Sequence, residues 1–179
     1  MKSFGNLGVV PNGVPIPADQ ILEGHAARLL ILLSETGTKG RINGLTKLAK
    51  LDFFLRYPEF LAKVTGTATP DLVPEPTMIR FHYGPWDPRY YQILPYLESR
   101  GLINIKHSKQ AYAFMLTHSG YTLVSRLRSQ PELDTTFSQA QAVGKEFGHK
   151  SGTQLKNLVY STFETEVSNL ALGEYIHHA

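Results

Sequence analysis

The segment Phe81–Arg89 limits the fold of this chain more than any other part of its sequence. It reads FHYGPWDPR and holds the only tryptophan of the chain, one glycine and two prolines. Glycine and proline restrict the backbone to a few turn geometries, so the segment predicts a turn of fixed shape. Asp87 is a suitable helix N-cap, Pro88 suits the first helical turn, and Gly101 is a suitable stop. We therefore expect a turn that orients a helix over 88–100.

Apolar residues at helical spacing predict five more helical segments, and two short apolar runs predict a hairpin. The hairpin is expected over 102–116, with a turn at 107–110, and Thr117 or Ser119 is expected to cap the helix behind it. Residues 36–44 are expected to form a polar loop. The predicted helices cover about 19–36 with Asp19 as N-cap, 45–66 with a kink or restart at Pro58, 117–127, 133–147, and a segment from 151 onward.

The order of these elements predicts the fold class. Three helical segments followed by a β-hairpin with a short basic turn are typical of a winged helix-turn-helix. We expect an α+β, mostly α protein: a winged helix-turn-helix domain with a C-terminal helical extension. The expected boundaries are an extended N-terminal arm at 1–18, the winged-helix domain at 19–130 with a loop insertion at 66–77, and the extension at 131–179.

Composition favours a cytoplasmic protein. Cysteine is absent, which excludes disulfides, thiolate metal sites and cysteine nucleophiles. The N-terminal residues do not resemble a signal peptide, and the longest apolar run, Leu29–Leu33, is too short to cross a bilayer. We therefore expect a cytoplasmic location and no membrane partner.

The middle of the chain is basic. Residues 80–130 hold seven Lys or Arg against two Asp or Glu, whereas residues 131–179 hold three against six. Basic faces bind polyanions through counterion release, so this region suggests nucleic acid, although an ordinary solvated surface would have the same composition. The candidate DNA-binding residues are Lys39, Arg41, Lys47, Lys50, Arg89, Tyr90, Lys106 and Lys109.

Two features are candidates for binding a protein partner. Tyr83 and Trp86 are of the residue types that often anchor interfaces. The alternative is that the turn only shapes the backbone and that Trp86 fills a gap between helices. An apolar stripe near the C-terminus could dock a partner helix or form part of the core. The stripe consists of Leu155, Leu158, Val159 and Phe163.

The motifs of common catalytic sites are missing from the sequence. The seven histidines do not form an HExxH pair, no Gly-x-Ser-x-Gly is present, and Thr36–Gly40 lacks the spacing of a phosphate-binding loop. We therefore expect no catalytic residues, no metal, no cofactor and no ATP site in this chain.

An ordered series of short motifs carries a resemblance to a known family. The motifs are Gly44–Leu51 (GLTKLAKL), Tyr83–Pro85 (YGP), Gly101–Ile103 (GLI), Leu116–Gly120 (LTHSG) and the closing Ser151–Tyr160. The series resembles the winged-helix small subunits, or middle components, of bacterial ABC-type three-component systems. It is also similar to the small subunit of Lamassu-type anti-phage systems, in which an SMC-like ATPase acts with an effector. An antitoxin-like family has a similar Tyr-Gly-Pro turn.

The resemblance implies an accessory function. Under it, the chain is a non-catalytic subunit that assembles with an SMC/ABC-type ATPase and an effector in a bacterial anti-phage defence complex. Any ATP use would then belong to the partner. The alternative is a DNA-binding transcriptional regulator or antitoxin of winged-helix type, with Arg89, Tyr90 and Lys109 as contacts.

Overall fold

The computed structural model describes residues 21–67, 78–108 and 111–177. The expected arm at 1–18, the Asp19 cap, Lys109 and most of the 66–77 loop lie outside these residues. The elements in chain order are α1 (Leu22–Thr36), β1 (Arg41–Asn43), α2 (Leu45–Arg56), α3 (Pro58–Thr65), β2 (Ile79–Phe81), β3 (Gly84–Trp86), α4 (Tyr90–Ser99), β4 (Ile103–His107), β5 (Tyr112–Leu116), α5 (His118–Leu127), α6 (Asp134–Phe147) and α7 (Gly152–Thr162). The predicted α+β, mostly α class is confirmed.

The larger sheet is antiparallel, with β5 between β1 and β4. Ile42 lies opposite Phe114, which in turn lies opposite Ile105, and this row faces the core. The expected hairpin is therefore present as β4 and β5. Strand β1 was not predicted, because three residues with a single apolar side chain are too few to show strand alternation.

The smaller sheet is the hairpin of β2 and β3, in which Ile79 lies opposite Trp86 and Phe81 opposite Gly84. Its turn is His82–Tyr83. Strand β3 was not predicted from the sequence, because Gly84 and Pro85 both disfavour strands. The hairpin is held at its outer edge by the Arg80 amide, which donates a hydrogen bond to the Glu174 carbonyl.

One hydrophobic core joins the first and last helices. Leu29–Leu33 on α1 are almost completely excluded from solvent. α6 packs on α1 and α2, and α7 packs on α2. A cluster of aromatic rings joins α2, α3, α6 and the end of α7, namely Phe53, Phe54, Phe60, Phe147 and Phe163. The segment expected to be a C-terminal extension therefore shares the core of the preceding part.

Side-chain caps set two of the helix starts, those of α5 and α7. α4 begins at Tyr90 without a side-chain cap; just before it, Asp87 accepts a hydrogen bond from the Arg89 amide and holds residues 88–89 in a turn. Thr117 caps α5, since its hydroxyl accepts from the Gly120 amide over 3.0 Å. A capping box of Ser151 and Gln154 starts α7. Thr117 acts as the sequence predicts, whereas the expected cap at Asp87 is corrected, because the helix begins two residues after Pro88 and has Arg89 as its N-cap.

Candidate functional site

A pocket of about 210 Å³ lies between α2 and the β2–β3 hairpin, and we call it the aromatic pocket. Its lining consists of Leu45, Thr46, Ala49, Lys50, Phe81, His82, Tyr83, Gly84, Pro85, Trp86 and Tyr91. Four of these are aromatic side chains from the hairpin and the first turn of α4. The Phe81–Arg89 segment therefore forms most of one wall, and α2 forms the other.

Gly84 brings the hairpin close to α2. Its φ of +97° is a conformation that residues with a side chain rarely adopt. A Cβ at this position would lie 3.5 Å from the Cε and Nζ atoms of Lys50. On the other side, the Tyr160 hydroxyl donates a 3.1 Å hydrogen bond to the His82 carbonyl and ties the turn to α7. The turn is thus held between two helices.

Lys50 lies at the floor of the pocket. Its side chain is almost fully buried, with 2% of the residue exposed, and its Nζ donates a 3.1 Å hydrogen bond to the Pro85 carbonyl. Among the described residues, no carboxylate forms a salt bridge with this amine. Burial disfavours the charged ammonium and lowers the pKa of Lys50 to about 7.

The rim of the pocket is an exposed aromatic surface. Tyr83 is 61% exposed and Tyr91 70% exposed, while Trp86 is half-buried between them. The Trp86 ring centroid lies 5.8 Å from that of Tyr91 and 6.1 Å from that of Phe81. The Nζ of Lys156 lies 5.8 Å from the Tyr83 ring centroid. Large exposed aromatic groups beside a pocket are typical of interaction sites.

A buried network of charged residues holds α4 against α1 and α2. Asp52 on α2 accepts a 2.8 Å hydrogen bond from the Nε of Arg28 on α1 and a 2.6 Å bond from the hydroxyl of Tyr90 on α4. Arg56 lies 3.7 Å from Asp52 and donates a 2.8 Å bond to Asp87. Burial and the nearby charge of Asp52 raise the pKa of Tyr90 well above its ordinary value, so the phenol stays protonated and donates.

The network reaches the surface through Arg89. Its Nε and one terminal nitrogen donate to the Asp87 carboxylate over 2.9 Å, and its other terminal nitrogen lies 2.9 Å from Nε2 of His25. Burial raises the pKa of Asp87, but the hydrogen bonds from Arg89 and the charge of Arg56 outweigh it and lower the value to about 2. Asp87 is therefore ionised at every physiological pH.

The network was not predicted from the sequence, in which Asp87 was expected to be a helix cap and Arg89 and Tyr90 were expected to be DNA contacts. His25, Arg28, Asp52 and Arg56 lie on helices whose apolar faces carried the prediction of secondary structure. The burial of these charged side chains could have been predicted, because they fall on positions flanked by apolar residues of the core face. Long-range pairing between α1, α2 and α4 could not be derived from that signal alone.

Several predicted DNA contacts are corrected by burial. Lys50 and Tyr90 are 2% and 1% exposed, so neither can contact DNA in this arrangement. The guanidinium of Arg89 is paired with Asp87. Lys47 donates a 2.6 Å hydrogen bond to the Gly148 carbonyl, and burial lowers its pKa. These side chains serve the protein's own structure.

Of the remaining predicted cations, the three that the structure describes are exposed. Lys39 lies in the loop before β1, with a positive φ of 53°. Arg41 on β1 lies opposite Met115, and Lys106 on β4 lies opposite Ala113, so both flank the central strand of the larger sheet. Arg41 also bonds Asn43 over 2.7 Å. Arg41 and Lys106 therefore lie on the two outer strands of the larger sheet, and Lys39 lies in the loop that leads into β1.

The expectation of a partner-binding stripe on α7 is corrected in the same way. Leu155, Val159 and Phe163 are fully buried and contribute to the core. They cannot contact a partner in this arrangement, and only Leu158 is half-buried at the edge. The predicted stripe is the face by which α7 packs on α2, as the alternative interpretation of the pattern proposed.

Two other features, a metal site and a membrane-spanning helix, are absent from the residues that the structure describes. Within 21–67, 78–108 and 111–177, no cluster of three metal-ligating side chains is found. The same residues include no helix of the length and apolar character that crossing a membrane requires. Comparison of the chain with family models, with curated proteins and with solved structures found no match.

Proposed function

We propose that this chain is a non-catalytic winged-helix subunit that binds a protein partner through the aromatic pocket and its rim. The observation that carries this proposal is the exposure of Tyr83 and Tyr91 around a pocket whose shape is held from below by Lys50 and Gly84. Aromatic anchors on a preformed surface lose little conformational entropy on binding, which favours a stable interface.

The element order supports the winged-helix assignment. α1, β1, α2, α4, β4 and β5 follow one another as helix, strand, helix, helix, strand and strand, and the sheet order is β1-β5-β4. A winged helix-turn-helix has the same type of order. In this assignment α3 and the β2–β3 hairpin are an insertion before the third helix of the motif, and that insertion carries the aromatic pocket.

The side chains at the start of α4 favour a protein partner over DNA. Helix-turn-helix proteins read bases with the N-terminal residues of the recognition helix. Here Arg89 is paired with Asp87, and Tyr90 is bonded to Asp52. Breaking these buried pairs to reach a duplex would cost free energy that phosphate contacts would have to offset.

The nature of the partner comes from the resemblance of the sequence motifs. We assign the chain to a bacterial anti-phage defence complex in the cytoplasm, with an SMC/ABC-type ATPase and an effector as the partners. The Tyr83–Pro85 motif of that resemblance lies in the wall of the aromatic pocket. The proposal therefore makes the same residues both the family signature and the docking surface.

Co-expression with the ATPase and effector encoded beside this chain tests the proposal. The wild-type chain is expected to co-elute with the ATPase in size-exclusion chromatography. A Tyr83→Ala/Tyr91→Ala double variant should lose co-elution, whereas Tyr112→Ala, which removes an exposed tyrosine on β5, should retain it. Separate elution of the wild-type chain from both neighbours would show that the proposal is wrong.

A second candidate function is DNA binding as a regulator or antitoxin, favoured by the exposed cations of the larger sheet. Lys39, Arg41 and Lys106 lie on or beside β1 and β4. Under this function, an Arg41→Ala/Lys106→Ala variant should weaken duplex binding and reduce its salt dependence, while Lys145→Ala on α6 should not. Absence of duplex binding by the wild-type chain at low salt would exclude it.

A further inference from the structure

We infer that the aromatic pocket recognises the C-terminal residue of the partner chain, with the terminal carboxylate on Lys50 and an apolar side chain between the aromatic walls. This inference rests on the proposed function, because it assumes a protein partner at this surface. It adds the chemical group that the pocket selects.

Lys50 has unused capacity to bind an anion. An ammonium group has three donors, and the Pro85 carbonyl accepts the one hydrogen bond that Lys50 makes among the described residues. Burying an ammonium without a counter-charge is costly, and an apolar residue on α2 would fill the same space without that cost. A carboxylate that enters the pocket would supply the missing charge and accept the remaining donors.

The surroundings of Lys50 also favour an anion. The other titratable groups of the lining are His82, Tyr83 and Tyr91, and the lining contains no carboxylate. The ammonium of Lys156 lies against the Tyr83 ring, so a second positive charge is close to the pocket. Tyr160, on the same helix, lies beside Gly84. Leu45 and Thr46 place the first turn of α2, the positive end of the helix dipole, in the pocket wall.

The walls of the aromatic pocket determine which chemical group can be attached to the carboxylate. A volume of about 210 Å³ holds a group the size of one large side chain. Phe81 and Trp86 provide flat apolar surface next to the amine. An apolar C-terminal residue presents a carboxylate and a large apolar group together, whereas internal Asp and Glu side chains present a carboxylate on a short stem. A chain terminus therefore matches both parts of the pocket.

Binding of a carboxylate should depend on pH through Lys50. Its pKa of about 7 means that the amine is charged below pH 7 and increasingly neutral above it. A carboxylate binds the charged form, so affinity should fall as pH rises from 6 to 9, with proton uptake on binding near neutral pH. His82 lies in the same wall, and His82→Gln separates any contribution of this side chain from that of Lys50.

Fluorescence of Trp86, the only tryptophan, gives a direct binding signal from the pocket wall. The full chain is titrated at pH 6 with N-acetylphenylalanine, with its C-terminal amide, and with 3-phenylpropionate, which is a free acid without a peptide group. We expect the acid to bind about tenfold or more tightly than the amide, as a lost charge-assisted hydrogen bond implies. We also expect 3-phenylpropionate to bind no more tightly than N-acetylphenylalanine.

Lys50→Met should reduce the preference for acid over amide to near unity, while Lys145→Met, which removes an exposed lysine on α6, should leave it unchanged. If Lys50→Met fails to fold, the test is made on the wild-type chain at pH 6 and pH 9. Its preference for the acid over the amide must then be smaller at pH 9. Equal binding of acid and amide, or no binding of any probe at millimolar concentration, would overturn the inference.

If 3-phenylpropionate binds tenfold or more tightly than N-acetylphenylalanine, the inference that the ligand is a chain terminus is overturned. The ligand would then be a small aromatic acid. Each of these results leaves the co-elution experiment unaffected. A partner that still co-elutes through Tyr83 and Tyr91 therefore separates failure of this inference from failure of the proposed function.

Discussion

The Tyr90 hydroxyl donates a 2.6 Å hydrogen bond to Asp52, and this contact joins the first turn of α4 to the middle of α2. Both residues are almost fully excluded from solvent. Because the same carboxylate also accepts hydrogen bonds from Arg28, the orientation of α4 depends on a polar network as well as on apolar packing.

Tyr90→Phe should lower the free energy of unfolding. The substitution removes one donor from the buried Asp52 carboxylate, which typically costs about 1–3 kcal/mol. The neighbouring Tyr91 is exposed, so Tyr91→Phe is the matched control and should change stability by less than about 0.5 kcal/mol. Urea unfolding monitored by circular dichroism measures both, and equal effects would contradict the network's role.

Asp87→Asn should destabilise the fold at neutral pH. The folded-state pKa of Asp87 is about 2, below the ordinary 3.8, so its ionised form is stabilised by folding. That contribution, on the order of 2 kcal/mol, is present above pH 4 and is lost as pH falls toward 2. The difference between wild type and variant in unfolding free energy should therefore shrink in acid.

Glu132→Gln removes an exposed carboxylate and is the control for Asp87→Asn. Its unfolding free energy should follow that of the wild type at every pH. A destabilisation by Asp87→Asn that stays constant between pH 7 and pH 3 would show that the loss comes from the altered hydrogen bonds of Asp87 alone and not from its charge.

Lys50→Met should stabilise the unliganded protein at pH 6. Folding lowers the pKa of Lys50 from 10.5 to about 7, so the folded state binds fewer protons between these values and wild-type stability rises with pH there. The advantage of the variant should therefore narrow between pH 6 and pH 9 by on the order of 2 kcal/mol. Urea unfolding at both pH values measures the narrowing. A stability difference between Lys50→Met and the wild type that does not change with pH would contradict the lowered pKa of the buried amine.

Gly144→Ala should destabilise the contact between α1 and α6. A Cβ at position 144 would overlap the Glu35 carbonyl oxygen, which belongs to backbone that cannot move alone. Overpacking of this kind typically costs about 1–3 kcal/mol. Gly24 lies in α1 with no neighbour near its Cβ position, so Gly24→Ala should instead stabilise by about 0.5–1 kcal/mol. Thermal unfolding compares the two; a stabilising Gly144→Ala would show that the helices can separate freely.

The parts of the fold that repeat a local pattern could be predicted from the sequence. The helix ending at Gly37, the break at Pro58, and the cap at Thr117 follow from residues within one or two turns. β1 could not be predicted, because its pairing partner β5 lies about seventy residues later and decides whether three residues form a strand.

The site was predicted in part. Tyr83 and Trp86 were recognised as candidate partner contacts, and they line the aromatic pocket. Lys50 was predicted to be a DNA contact, together with Lys47 on the same helix. Its burial depends on the hairpin that covers it, and no local signal in α2 indicates that cover. Tyr90 and Arg89 were misassigned for the same reason, since Tyr90 donates to Asp52 on α2 and Arg89 lies 2.9 Å from Nε2 of His25 on α1.

The closing contact of the core comes late in the chain. The Tyr57 hydroxyl donates a 3.0 Å hydrogen bond to the Ile176 carbonyl, and Ile176 is fully buried. During synthesis, helices α1 to α3 therefore leave the ribosome long before the residues that cover them. Their apolar faces stay exposed over that interval, so we expect a nascent chain cut before α6 to have no independent stability.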